Sequence, residues 1–164
     1  MNRIKVINEP SDLVPILRCV DTQVKKEVFK NLALDWLTAH EIEDRYGKEG
    51  TTALRLFEKM RLVETKWQTG DGDPVKAYHS FYTSLHISAS SPVHEISDVL
   101  QVAVMSEGEY TKMEDRIYET VGEEGKFAGD LAEELAMSQV MLKSIIKRSF
   151  RLDFRGHRIE RFDR

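Results

Sequence analysis

A chain of 164 residues, 41% of them hydrophobic, is long enough to bury the core of one ordinary domain or of two small ones. Its formal net charge of -4 excludes a protein that coats nucleic acid indiscriminately, and its single cysteine, Cys19, excludes an internal disulfide or a paired-cysteine zinc or redox site. No run approaches the roughly 18 apolar residues of a membrane span, and the opening MNRIKVINEPSD lacks the apolar core of a signal peptide, so a cytoplasmic protein with no membrane partner is expected.

In chain order, SDLVPILRCV predicts a short helix begun or interrupted at Pro15, with Cys19 in the apolar run Leu13, Ile16, Leu17 and Val20. A longer helix follows in DTQVKKEVFKNLALDWL. Val24, Val28, Leu32 and Leu34 fall near helical spacing, and Lys25, Lys26, Glu27 and Lys30 take the other face. In TAHEIEDRYG, Thr38 and Glu41 make the capping box T-x-x-E and Gly47 supplies a stop. After a turn at YGKEG, TTALRLFEKM reads as a third short helix, with Leu54, Phe57 and Met60 inward and Thr51, Thr52, Arg55 and Lys59 toward solvent. The runs LVETKW and KAYHSFYTSLHI, separated by the turn-forming QTGDGDP, read as a hairpin. Three helices and a hairpin are the order of a winged helix-turn-helix. In that arrangement the last helix offers its early polar residues to the major groove and the hairpin is the wing.

SSPVHEISDVLQVAVMS opens with Ser91 and Pro92 and carries a wide apolar stripe of Val93, Ile96, Val99, Leu100, Ala103 and Val104. It suits a dimer contact or packing against the rest of the chain. After EGEY the first order returns. Met113, Ile117 and Val121 mark one helix, Leu131 and Leu135 a second, and Leu142, Ile145 and Ile146 a third. FRLDF and RIERF, joined across Gly156, alternate Phe150, Leu152, Phe154, Ile159 and Phe162 as a hairpin. The expected fold class is therefore mainly α with small β-hairpin wings, a tandem winged helix-turn-helix. Its expected parts are an N-terminal module over residues 1–90, a linking or dimerisation helix over 91–109, and a C-terminal winged-helix-like module over 110–164. Residue identity between the halves is low, so this is a repeat of architecture.

From residue 143 to the end, eight Lys or Arg stand against three acids, a local balance of +5. Lys143, Lys147 and Arg148 fall on the third helix of the second module, and Arg151, Arg155, His157, Arg158 and Arg161 on or around its hairpin. Such a cluster neutralises phosphates, releases counterions and, through Arg, can read guanine. The alternative is that these cations pair with the acidic segments GEEG and AEEL of the same half.

The stretches VDTQVKKEVFKNL, LTAHEIEDRYG and TTALRLFEKMRLVETKW resemble the winged-helix domain of the ArsR-type transcriptional regulators, particularly archaeal relatives in which a long helix follows the wing. The resemblance covers residues 12 to 105. It implies DNA contacts by Thr51, Thr52, Arg55 and Lys59 on the third helix and by Lys66 and Lys76 on the wing, and a homodimer through the helix after the wing. Metal-sensing members carry a cysteine pair near the reading helix or an Asp and His cluster on the long helix. Neither pattern is intact here, where His79, His86, His94, Glu95 and Asp98 are the only candidates, so no metal or other cofactor is expected. Glu49 and Glu58 flank the reading helix and oppose phosphates.

The chain contains no G-x-S-x-G, G-x-x-x-x-G-K-[ST], H-E-x-x-H or G-x-G-x-x-G, and TGDGDP lacks the ligand alternation of a calcium loop, so an enzyme is not expected. Nothing requires Cys19 or the histidines to sense a ligand. The sequence thus predicts a sequence-specific, double-stranded-DNA-binding transcriptional regulator acting as a homodimer. Its rival is a winged-helix module that binds protein partners in a transcription or chromosome-maintenance complex.

Overall fold

The computed structural model describes residues 2–162, so Asp163 and Arg164 of the basic tail lie outside the described residues. The chain divides into two compact units, one formed by Met1–Ile7 with Ile16–Ile87, the other by Asn8–Pro15 with Ser88–Arg164.

The first unit takes its helices from the end of α1 (Leu13–Cys19), from α2 (Gln23–Leu34) and from α3 (Ala39–Lys59). Thr22 caps α2 by accepting from the Lys25 amide. The expected capping box is present at α3, where Thr38 accepts from the Glu41 amide at 3.1 Å and Glu41 accepts from the Thr38 amide at 2.8 Å. Strands β2 (Leu37–Thr38), β3 (Val63–Gly70) and β4 (Gly72–Ser80) form an antiparallel sheet in the order β2-β4-β3.

Within α3 the helix is broken at Gly47, whose φ of 68° and ψ of -158° belong to glycine alone. The break separates a segment at 39–46 from one at 48–59. The second segment thus begins at Lys48, three residues earlier than the sequence suggested, because the turn is a single residue and not the stretch YGKEG. Gly50 sits where the segments meet. A Cβ there would lie 2.7 Å from Tyr46 Cβ and 3.0 Å from Ile42 Cγ2. Asn31 of α2 donates to the Tyr46 hydroxyl on the first segment, and Phe29 of α2 meets Phe57 of the second edge to face at 5.3 Å. Each segment therefore has its own anchor on α2.

Four expectations change in this unit. The seven-residue turn is a tight one, since β3 runs to Gly70 and pairs with Gly72 after an irregularity beyond Gln68. The run from Lys76 is not one strand: β4 stops at Ser80, and β5 (Ser84–Ile87) pairs in parallel with β1 (Ile4–Ile7), a strand not expected at all. Lys25 is not on a solvent face. Its ammonium is buried, donating to the Arg18 carbonyl at 3.0 Å and the Asp21 carboxylate at 2.8 Å. Leu34, expected inward, is 77% exposed because the helix ends there.

The second unit holds α4 (Val93–Val104), α5 (Glu107–Val121), β6 (Lys126–Phe127), α6 (Ala128–Glu134), α7 (Gln139–Arg148), β7 (Leu152–Arg155) and β8 (Arg158–Arg161). A 3-10 turn at Pro10–Asp12 joins it. Its sheet order, β6-β8-β7, is that of the first unit's sheet, and helix, two-residue strand, two helices and hairpin follow one another in both. Helix α5 starts before the expected loop has ended, because Ser106 caps it by accepting from the Glu109 amide at 3.3 Å. Ser138 caps α7 in the same way through the Met141 amide at 3.0 Å. The core is assembled from Val99, Val102, Ile117, Leu131, Leu142, Ile145, Leu152 and Ile159, so one face of α4 contributes to it.

Gly50→Ala is expected to cost about 1–3 kcal/mol, since the added methyl must displace Tyr46 or open the angle between the segments. Urea unfolding measures it; a change below about 0.5 kcal/mol would show that the crossing is not close.

Candidate nucleic-acid interface

In the second segment of α3, Ala53, Leu54, Leu56, Phe57 and Met60 are buried. That leaves Lys48, Glu49, Thr52 and Arg55 exposed, with Thr51, Glu58 and Lys59 half-buried. Thr51 donates its hydroxyl to the Lys48 carbonyl at 3.0 Å, so its proton is already engaged. Thr52 and Arg55, three apart, share a helix face and point outward. Arg45, before the break, and Lys48, after it, are exposed as well, interspersed with exposed Asp44 and Glu49; of these cations the sequence singled out only Arg55. The signal was there: a helix restarting at residue 48 would have placed Lys48 in its first turn.

The hairpin returns against this segment. Lys76 of β4 lies 3.5 Å from the Glu58 carboxylate, and Tyr78 hydrogen-bonds the same carboxylate. Burial, and then the adjacent Glu58, push the Tyr78 phenol up to about 12, so it stays protonated and donates. Glu58 is therefore tied to the hairpin, and its charge is offset there. Lys66 of β3 holds its ammonium 4.2 Å above the Trp36 ring, whose other neighbour is the stacked imidazole of His79 at 5.1 Å. Glu64 on the same strand faces Arg3 at 3.7 Å and His79 at 3.5 Å. Trp67, singled out by no sequence argument, is 69% exposed on the strand beside Lys66.

The topologically matching helix in the second unit is differently placed. Every residue of α7 from 140 to 148 is buried or half-buried. Arg148 is only 6% exposed and donates to the Val102 and Met105 carbonyls at 2.9 and 2.8 Å and to Glu107 at 2.9 Å, so it closes the end of α4 instead of facing outward. Lys147 pairs with Asp12 at 3.0 Å. Arg151 bonds Glu114 through Nε at 3.0 Å and a terminal nitrogen at 2.9 Å, and also reaches Asp115. Arg158 donates to the Glu124 and Gly125 carbonyls at 2.8 and 3.2 Å and lies over Phe127. Arg161 donates to the Tyr118 carbonyl. Arg155 is exposed and 3.4 Å from Glu160, and Lys143 is half-buried beside Phe127, Phe154 and His157 in a shallow depression. Much of the positive balance is thus engaged inside the unit, by acids of α5 and by backbone carbonyls, among them those of Glu124 and Gly125 in the GEEG segment.

Among the described residues, no three of His, Cys, Asp and Glu gather in a way that could hold a metal ion, and no helix is long and apolar enough to cross a membrane.

The first unit thus combines a capped helix pair broken at glycine, a polar outer face on its second segment and a hairpin tied to that segment through Lys76 and Tyr78. The chain belongs to the ArsR transcriptional regulators, whose family model matches residues 7–163. It is accordingly a regulator of transcription that binds DNA. No curated protein matches the chain.

Arg148→Ala should lower stability by about 2–4 kcal/mol, because it leaves two buried carbonyls and the face of Tyr110 uncovered. Urea unfolding reads the loss. An unchanged midpoint together with weakened DNA binding would instead make Arg148 a contact residue.

Proposed function

We propose that the chain is a sequence-specific DNA-binding regulator in which both units are winged helix-turn-helix modules and the first does the reading. The reading segment is 48–59 of α3, with Thr51, Thr52, Arg55 and Lys59 at base edges and phosphates, and Lys66 and Lys76 on the wing. The observation that carries this is the contrast in exposure: Thr52 and Arg55 face solvent, whereas no residue of 140–148 is exposed. Arg155, which is exposed, and Lys143, which is half-buried on its helix, supply phosphate contacts. The second unit is then a winged helix turned to assembly. The protein-interaction reading is supported for that unit by its sequestered α7.

The same reading makes the protein a homodimer through α4. Val93, Leu100 and Val104, spaced seven and four residues apart, are 88%, 49% and 79% exposed on one helix whose opposite side is core. A two-fold dimer would place half-sites about one helical turn apart, near 34 Å. It would act in the cytoplasm.

The test is fluorescence anisotropy of labelled DNA from upstream of the protein's own coding region, at two salt concentrations. Affinity should fall steeply with salt. Arg55→Ala/Lys59→Ala should weaken it at least about tenfold and reduce the salt slope by about two. No binding at low salt would favour a protein partner. In sedimentation, Leu100→Asp/Val104→Asp should yield a monomer; a wild type already monomeric at micromolar concentration while binding DNA tightly would remove the dimer.

A further inference from the structure

Within the first unit, the end of α1, the middle of α2, the end of α3 and β5 line a pocket of about 300 Å³ that opens to solvent. Protein interiors are close-packed, with few voids larger than a water, whose share of liquid is about 30 Å³. A space of this size is at the lower end of ligand pockets. Its walls include Ile16, Phe29, Phe57 and Leu62, and its lips include Val20 and Leu85, 42% and 41% exposed.

Three of the polar side chains around it, those of Cys19, Thr83 and Ser84, already have partners, and Tyr82 also lines it. The Cys19 thiol donates to Met60 Sδ at 3.0 Å, and burial pushes it up to about 12, so it is a neutral thiol and no nucleophile. The Thr83 and Ser84 hydroxyls donate to Asn2 Oδ1 at 2.6 and 2.9 Å. No charged side chain lines the space. Such walls repel an ion and offer a hydrocarbon nothing but contact.

Its position matters for the regulator. Phe57 lies in the last turn of the segment 48–59, and its carbonyl accepts from the Leu62 amide at 2.9 Å. The Leu62 carbonyl then accepts from the Phe81 amide at 2.8 Å, just past β4. Two wall residues therefore carry the joint between reading helix and wing, and the residue between them, Arg61, holds a φ of 58°.

We propose that this pocket is a binding site for a small, neutral, apolar molecule of about ten to seventeen non-hydrogen atoms. That such a molecule acts as an effector of DNA binding rests on the regulator reading above; the site itself does not.

The test titrates the neutral fluorophore N-phenyl-1-naphthylamine into the full chain. Saturable binding at one molecule per chain is expected, displaced by naphthalene but not by naphthalenesulfonate. Val20→Trp and Leu85→Trp, each plugging one lip from a partly exposed position, should each weaken it at least about tenfold, and Lys112→Trp at an exposed position of α5 should leave it unchanged. Circular dichroism confirms that the variants fold. Binding that never saturates, or that survives both lip variants, overturns the site. With the probe at saturation, DNA affinity should change several-fold in wild type and not in Val20→Trp. A protein that binds DNA equally with and without probe loses the effector role, whereas one that binds no DNA even without probe loses the regulator reading and leaves the site to the fluorescence result.

Discussion

Two glycines three residues apart set the angle at which the first unit presents its polar helix. Gly47 takes a backbone conformation closed to other residues, which ends one helical segment and starts the next without a loop. Gly50 then lets the second segment lie against the first at a distance that any Cβ would prevent. Once the angle is set, the anchors on α2 follow: Asn31 bonds Tyr46 on one side of the break, and Phe29 meets Phe57 on the other. The outward direction of Thr52 and Arg55, and the approach of the hairpin to Glu58, depend on that crossing.

The charge distribution makes sense only once the pairs are known. An acidic chain with a basic end suggested that the end faces a polyanion, yet Arg148, Arg151, Arg158 and Arg161 are held by carbonyls and carboxylates of their own unit. A buried guanidinium that donates to two carbonyls at the end of α4 is a structural clamp, because it satisfies acceptors that the helix terminus leaves open. Conversely, the negative charge of Glu58 on the segment 48–59 is offset by Lys76 and held by Tyr78, which its place in the sequence does not reveal.

Local chemistry was legible. The Thr38–Glu41 box, the stop at Gly47, the inward side of 54–60 and the hairpin around Gly156 all depend on neighbours in sequence, and they stand where the residues put them. What was not legible depends on distant partners. The parallel pairing of Ile4–Ile7 with Ser84–Ile87 joins segments some eighty residues apart, and a four-residue strand carries too short a pattern to announce itself. The burial of Arg148 has the same origin, since the Met105 carbonyl that receives it lies 43 residues away, whereas Lys25 is held by the nearby Arg18 carbonyl at the end of α1. The wing turn was misread because Gly70 and Gly72 can extend a ladder as readily as end it. For the candidate interface, the residue types were legible, but which of them face outward was a matter of packing.

The central claim is that the segment 48–59, and not α7, lies on DNA. A DNA-cleaving iron chelate tethered to Thr52→Cys tests it, with the same chelate at Gln139→Cys, an exposed position at the start of α7, as the comparison. The native thiol of Cys19 is buried and pushed up to about 12, so the introduced thiol is the one labelled. The account predicts localised cuts in the bound duplex from position 52 and none from position 139. Cuts from 139, with none from 52, would contradict it.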